Sequence, residues 1–209
     1  MAVTDVPPAH STPAVVAPTT GAGIADPGPL GLAAFAMTTF VLSVVNAGWL
    51  PASVGGIFLG LALFYGGIVQ VLAGMWEFTK GNTFGALAFS SYGAFWLSYW
   101  YIRVHTDFSA VADATDVKKA VGIYLLGWTI FTLYMLVCTL RLNGMLIAVF
   151  SFLTLAFIAL TLENLLNNAS LGKWGGYLGI ITAALAWYGS FAGVINASWK
   201  RVVLPVFPR

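Results

Sequence analysis

Six long apolar windows follow one another along this chain, at residues 30–48, 54–76, 83–102, 120–140, 145–162 and 174–195. Each approaches the ~20 residues that an α-helix needs to cross a hydrocarbon core. A transmembrane β-barrel would show ~10-residue segments of alternating polarity between turns; these windows are continuously apolar. No proline falls between Pro51 and Pro205, so nothing in that stretch forces a helix to break. The pattern predicts an all-α integral membrane protein, with six transmembrane helices forming a bundle over residues 30–198.

Charge supports the same class. Only 8% of the residues are charged and 59% are hydrophobic, where soluble domains carry ~25% charged residues. So few charges cannot clothe a water-soluble sphere, and the expected surroundings are a lipid bilayer. A net charge of +2, with its nine Lys and Arg scattered, excludes a nucleic-acid partner. The single cysteine, Cys138, lies in an apolar run. It excludes an internal disulfide and a zinc cluster, and it reads as a small buried hydrophobe.

The two ends differ from the middle. Residues 1–29 hold six of the nine prolines and no Lys or Arg, which reads as a disordered tail rather than a secretory signal. Residues 199–209 read as a short C-terminal tail. Six spans place both termini on one side. The Lys200–Arg201 pair beside the last window points that side to the cytoplasm. Trp49, Trp96, Tyr99, Trp100, Tyr101, Trp174 and Tyr177 cluster at window ends, as an interfacial aromatic belt would.

Polar residues inside the windows are the candidates for function. In the first window Phe35, Thr38, Thr39, Leu42 and Asn46 share one helix face; such a stripe lines a path or, more blandly, lets threonines bond their own helix. In the second, Gly60, Gly67 and Gly74 recur every seven residues, the pattern of a close helix contact. Gln70 and Glu77 show the same spacing. Gln70 faces a path or packs in an interhelical hydrogen bond, and Glu77 serves transport or pairs with nearby Lys80. The third window adds Ser90, Ser91 and Tyr92, and the fifth Leu153, Thr154 and Thr161. No Lys, Arg or His occupies the middle of a window, and the two histidines, His10 and His105, fall outside. A metal site, a catalytic triad and a nucleotide-driven pump lack their parts. No enzyme and no cofactor are expected; passage of a small solute fits better.

The entrance to the first window reads Asp26-Pro27-Gly28-Pro29-Leu30-Gly31-Leu32, with Asp26 placed as an N-cap. Tyr65-Gly66-Gly67, Gln70, Ala73-Gly74 and Glu77 follow, then Gly81-Asn82-Thr83-Phe84-Gly85, Ser91-Tyr92-Gly93 and Phe95-Trp96. With these motifs the chain resembles the acetate uptake transporter family (GPR1/FUN34/yaaH, or succinate–acetate permeases), whose signature is NPAPLGL. The resemblance implies a six-helix bundle with a central solute path, assembled as a homo-hexamer in the cell membrane, in a bacterium the inner one. It implies passive or proton-coupled movement of acetate and related short carboxylates such as succinate. Phe35, Tyr92 and Leu153 match the family's apolar pore constriction, and Ala186 a position tied to selectivity. The expected path comprises Thr38, Thr39, Asn46, Gln70, Glu77, Asn82, Thr83, Thr154 and Ala186, and the entrance Asp26, Pro27, Pro29, Leu30 and Gly31. Here the signature's Asn is Asp26 and its first Ala is Gly28, so a negative charge stands where an anion would enter. Alternative readings are a permease for ammonium or another small solute, and a non-transporting membrane sensor or scaffold.

Overall fold

The computed structural model describes residues 23–111 and 113–209. Six helical rods fill them: α1 Gly28–Asn46, α2 Ala52–Lys80, α3 Thr83–His105, α4 Ala114–Thr139, α5 Gly144–Leu166 and α6 Ala169–Trp199. Five have a mean hydropathy of 1.7 to 2.5 over their most apolar stretch. The exception is α3, whose serines, glycines, tyrosines and tryptophans lower the index without shortening the rod. Its 23 residues extend roughly 35 Å at 1.5 Å per residue, enough to span a bilayer core. Side-chain caps start four of the rods: Asn82 accepts from Gly85 N, Asp113 from Thr115 N, Asn143 from Leu146 N and Asn168 from Ser170 N. Between α2 and α3, Gly81 takes φ +78°, a left-handed turn that glycine enters without steric cost.

The rods form a ring. Side by side stand α2 with α3, α2 with α1, α1 with α6, α6 with α5, and α5 with α4. Aromatic side chains close the ring between α4 and α3. Tyr124 Oη donates to Phe95 O at 3.2 Å, and the Tyr92 ring lies 5.3 Å from that of Phe131. The closest seam joins α1 to α6, where a Cβ on Gly176 would stand 2.7 Å from Ala47 Cα. Outer faces carry Phe64, Ile68, Met75, Ile123, Ile130 and Val137, all exposed.

Five expectations need correction. The second window lacks proline, yet its rod is not a uniform α-helix: a 3₁₀ entry, Ala52–Ile57, leads into an α turn and then a π turn, Phe64–Val69. The π turn inserts an extra residue and rotates what precedes it. Gly67 and Gly74 therefore pack against Leu97 and Ser90 of α3, while Gly60 meets nothing. Trp96 is not part of an interfacial belt; it is 2% exposed inside the ring, whereas Trp49 and Trp174 are exposed at the rim. Cys138 is exposed on the outer face with Val137, while Met135 and Thr139 of the same run point inward.

The N-terminal end supplies the other two. The helix starts at Gly28, inside the expected tail, with Pro27 as N-cap; Asp26 sits one residue earlier and accepts from Gly28 N at 3.0 Å. Residues 1–22 of that tail lie outside the described residues. The short C-terminal tail, residues 200–209, runs as a strap along α6 and the start of α5. Asn196 Oδ1 accepts from Val203 N and Leu204 N, Gly144 N donates to Phe207 O, Arg209 N to Leu142 O, and Tyr188 Oη to Pro205 O. Ser190 Oγ of α6 donates to Pro29 O at 2.7 Å, and Asp26 and Val206 line one cavity, so both ends of the described chain lie at one end of the ring.

Candidate functional site

Two cavities enter the ring from opposite ends. The near cavity, on the side of the chain ends, holds about 280 Å³. The far cavity holds about 530 Å³. Phe35, Tyr92 and Leu153 are the residues that line both. Coming from α1, α3 and α5, they are 6%, 3% and 5% exposed. The Phe35 and Tyr92 rings stand 5.7 Å apart, and Phe150 packs on Tyr92 at 6.1 Å.

Hydrogen counting determines what this partition offers. Tyr92 Oη lies 2.9 Å from Thr132 Oγ1, and Thr132 Oγ1 donates its hydrogen to Trp128 O at 2.8 Å. A hydroxyl carries a single hydrogen, so Tyr92 donates to Thr132 and keeps no donor for a solute. The partition is apolar to an anion. Thr132, one turn of α4 from Thr129, is a residue that sequence reasoning missed. A polar pair three residues apart in an apolar helix was the available signal.

The near cavity is lined by Asp26, Glu77, Lys80, Gln70 and Asn82, among others. The motif Gly81-Asn82-Thr83-Phe84-Gly85 builds part of this wall. Asn82 caps α3, Phe84 packs its ring against Phe150 at 5.3 Å, and Gly85 leaves room for the Glu77 carboxyl, whose Cδ would lie 2.8 Å from a Cβ there. Gln70 and Glu77 are each 1% exposed, and Gln70 Oε1 and Glu77 Oε2 have no partner among the described residues. A buried polar atom without a partner is costly unless water or a solute meets it. At the mouth, Lys80 Nζ donates to Asp26 Oδ1 at 2.6 Å. The strap closes one flank with Val206.

The far cavity is chemically opposite. Arg103, Lys118 and Glu163 line it with Asn46, Asn164 and the aromatic wall Phe95, Trp96 and Tyr99. Its buried atoms without a partner among the described residues include a hydroxyl, Thr39 Oγ1, and an indole N–H, Trp96 Nε1, groups able to donate to an anion. Lys118 Nζ donates to Asn167 Oδ1. At the rim, the backbone N–H of Ser109 holds the Asp107 carboxyl below the usual carboxylate range, and that of Thr115 does the same for Asp113.

Several expected path residues stand behind these walls. Thr38 donates to Ala34 O at 2.9 Å and fits against Gly66; Thr154 donates to Phe150 O at 2.7 Å. Thr83 is exposed at the start of α3, and Ala186 is fully buried. None of these four lines either cavity, whereas Thr39, Asn46, Gln70, Glu77 and Asn82 do. Of the entrance motif, Asp26 and Pro29 reach the near cavity. Gly31 packs against the Phe89 ring, while Leu30 is 45% exposed. Lys80, Arg103, Lys118, Glu163 and Trp96 are wall residues that sequence reasoning did not place there. Most lie at window ends, where a charge reads as solvated whichever way it points.

Residues 9–209 match the GPR1/FUN34/yaaH family. The chain is 40% identical over 183 residues to the succinate-acetate/proton symporter SatP of Escherichia coli K12, covering 88% of this chain and 95% of that protein. It is 41% identical over 188 residues to Ammonia transport outward protein 2 of Saccharomyces cerevisiae, covering 88% of this chain and 66% of that protein. The chain thus spans just under two thirds of the yeast protein's length. Its fold is similar to the solved structure of the bacterial acetate channel SatP, with a TM-score of 0.81 and 39% identity over 88% of this chain and 99% of that one.

Proposed function

The chain belongs to the GPR1/FUN34/yaaH family, and we propose that this multi-pass membrane protein is a pathway for acetate and related short carboxylates, succinate among them. The observation that carries the reading is the convergence of two cavities on Phe35, Tyr92 and Leu153, with cations and donors on the far side. The names of the bacterial relatives, a symporter and a channel for these acids, support it.

The three residues act as a constriction whose barrier is poor hydration as much as width. A carboxylic acid of pKa ~4–5 is mostly ionised at neutral pH. An apolar partition without a free donor disfavours that ion, so the acid crosses with a proton or with some of its water. Thr39 and Asn46 handle the solute on the far side, and Gln70, Glu77 and Asn82 on the near side. Thr38, Thr154 and Ala186 act from behind the walls, Thr83 from the exposed start of α3, and Asp26, Pro27, Pro29, Leu30 and Gly31 form the lip. The functional unit is the six-helix bundle with the lip before α1 and the strap after α6, assembled as a homo-hexamer through its apolar outer faces. Both termini, and with them the near cavity, face the cytoplasm of a bacterial inner membrane.

Radiolabelled acetate uptake into proteoliposomes tests this, with and without a pH gradient. Saturable uptake above empty vesicles is expected, accelerated by an inward proton gradient if a proton accompanies the acid. Uptake equal to empty vesicles removes the acetate reading. One observation favours a second solute: Asp26 and Glu77 give the near cavity two carboxylates, which suit ammonium. Faster ammonium than acetate flux in the same vesicles would select it.

A further inference from the structure

Among the described residues, Lys80 is the one cation lining the near cavity, and its partner there is Asp26. We propose that Lys80, with the first backbone N–H of α1, is a docking site for the substrate carboxylate, and that Asp26 is a built-in competitor for it. The inference rests on the acetate reading above.

The geometry is already that of a bound acetate. An aspartate side chain is a CH₂–COO⁻ group, acetate with one hydrogen replaced by the link to Cα. Its Oδ1 receives Lys80 Nζ at 2.6 Å and Gly28 N at 3.0 Å. Gly28 N opens a helix of 19 residues, whose N-terminus carries partial positive charge and exposed N–H groups. A free carboxylate finds the same two donors in the same place once Asp26 withdraws.

Asp26 is positioned to withdraw. Lys80 stands on the last turn of α2, while Asp26 precedes α1 on non-helical chain. Both side chains are partly in solvent, 35% exposed for Lys80 and 52% for Asp26. Ion pairs this exposed contribute little, so exchanging one carboxylate for another is nearly free. Beyond the pair lie Glu77 and Asn82, so Lys80 is the first favourable stop for an anion in an otherwise acidic mouth. The signature's Asn has the same shape and keeps an acceptor for Gly28 N, but it cannot neutralise Lys80.

A double-mutant cycle on the full chain in proteoliposomes tests the exchange, with acetate KM as the readout. Asp26→Asn is expected to lower KM about two- to fivefold, the scale of an exposed ion pair. Lys80→Gln should raise KM, and adding Asp26→Asn to Lys80→Gln should then change nothing. Simple repulsion by Asp26 predicts instead an equal or larger gain without Lys80, and that result overturns the proposal. So does an unchanged or raised KM in Asp26→Asn with the melting temperature unchanged. Asp26→Ser, which keeps the acceptor without the charge, must repeat the fall in KM; if it does not, the proposal also fails. Wild-type protein that moves no acetate defeats the function itself, a distinct outcome visible before any variant is made.

Discussion

The near and far cavities are walled by the same ring of helices, yet their chemistry is inverted. The near wall carries Asp26, Glu77 and Lys80, and its buried atoms without a partner among the described residues are acceptors, Gln70 Oε1 and Glu77 Oε2. The far wall carries Arg103, Lys118 and Glu163, with a hydroxyl and an indole N–H that find no partner among the described residues. A carboxylate is therefore stabilised as an anion on the far side. On the near side it meets the carboxylates of Asp26 and Glu77, with Lys80 and the amide N–H groups of Gln70 and Asn82 as the opposing donors. The apolar partition at Phe35, Tyr92 and Leu153 keeps the two environments apart, so the state in which the acid crosses is set by the walls on either side of it as well as by the ring.

The comparison collapses first if the walls do not hold. Gly176→Leu drives a side chain into the Ala47 backbone at the α1–α6 seam, beside the far cavity. Overpacking against backbone should cost about 3 kcal/mol or more, seen as loss of folded protein in a detergent melt. Gly60→Leu, pointing into open space, should leave the melt unchanged. Equal losses in both would mean that α2 is packed in another register.

Removing the partition comes next. Leu153→Ala should let the cavities merge and raise lactate flux relative to acetate by about tenfold, the scale of a methylene-sized restriction. If Leu153 is simply core, the variant loses about 2–5 kcal/mol of stability and neither flux rises. Measuring both acids in the same vesicles separates the two.

The far cavity's charge is tested by Arg103→Gln combined with Lys118→Gln. Flux from that side should fall about threefold at low salt, and the difference should fade as added salt screens the mouth. A loss that persists at high salt would point to direct contact rather than attraction. The smallest effect is expected at Gln70. As a wall residue, Gln70→Ala should lower acetate flux with assembly and melting nearly unchanged. As a packing bond it should cost about 0.6 kcal/mol of stability with flux per folded protein intact.

Much of this was legible before any fold was in hand. Six continuous apolar windows admit few solutions in lipid, because every backbone N–H and C=O must be satisfied inside its own segment. The Gly81–Gly85 motif likewise encodes its turn and cap locally, through a residue that tolerates positive φ and an Asn whose amide oxygen reaches Gly85 N. The π turn was not legible. It is adopted where Gly66 meets Thr38 and Gly67 meets Leu97, contacts with two different helices, and no local pattern announces it.

Sequence by itself determined the class and the number of rods, since these follow from hydrophobicity within single segments. Phe35, Tyr92 and Leu153 were reached only through the resemblance to a family, and Tyr92 loses its free donor only by its bond to Thr132 of another helix. Only the tertiary structure decided which polar groups share a cavity. Trp96 reads as an interfacial anchor, Asp26 as a cap and Lys80 as a partner for Glu77. Each becomes a wall or mouth residue because helices distant in the chain converge there, and Asp26 and Lys80, 54 positions apart, stand 2.6 Å from one another. Periodicity reports which face of its own helix a residue occupies; what that face meets depends on the packing of the other five.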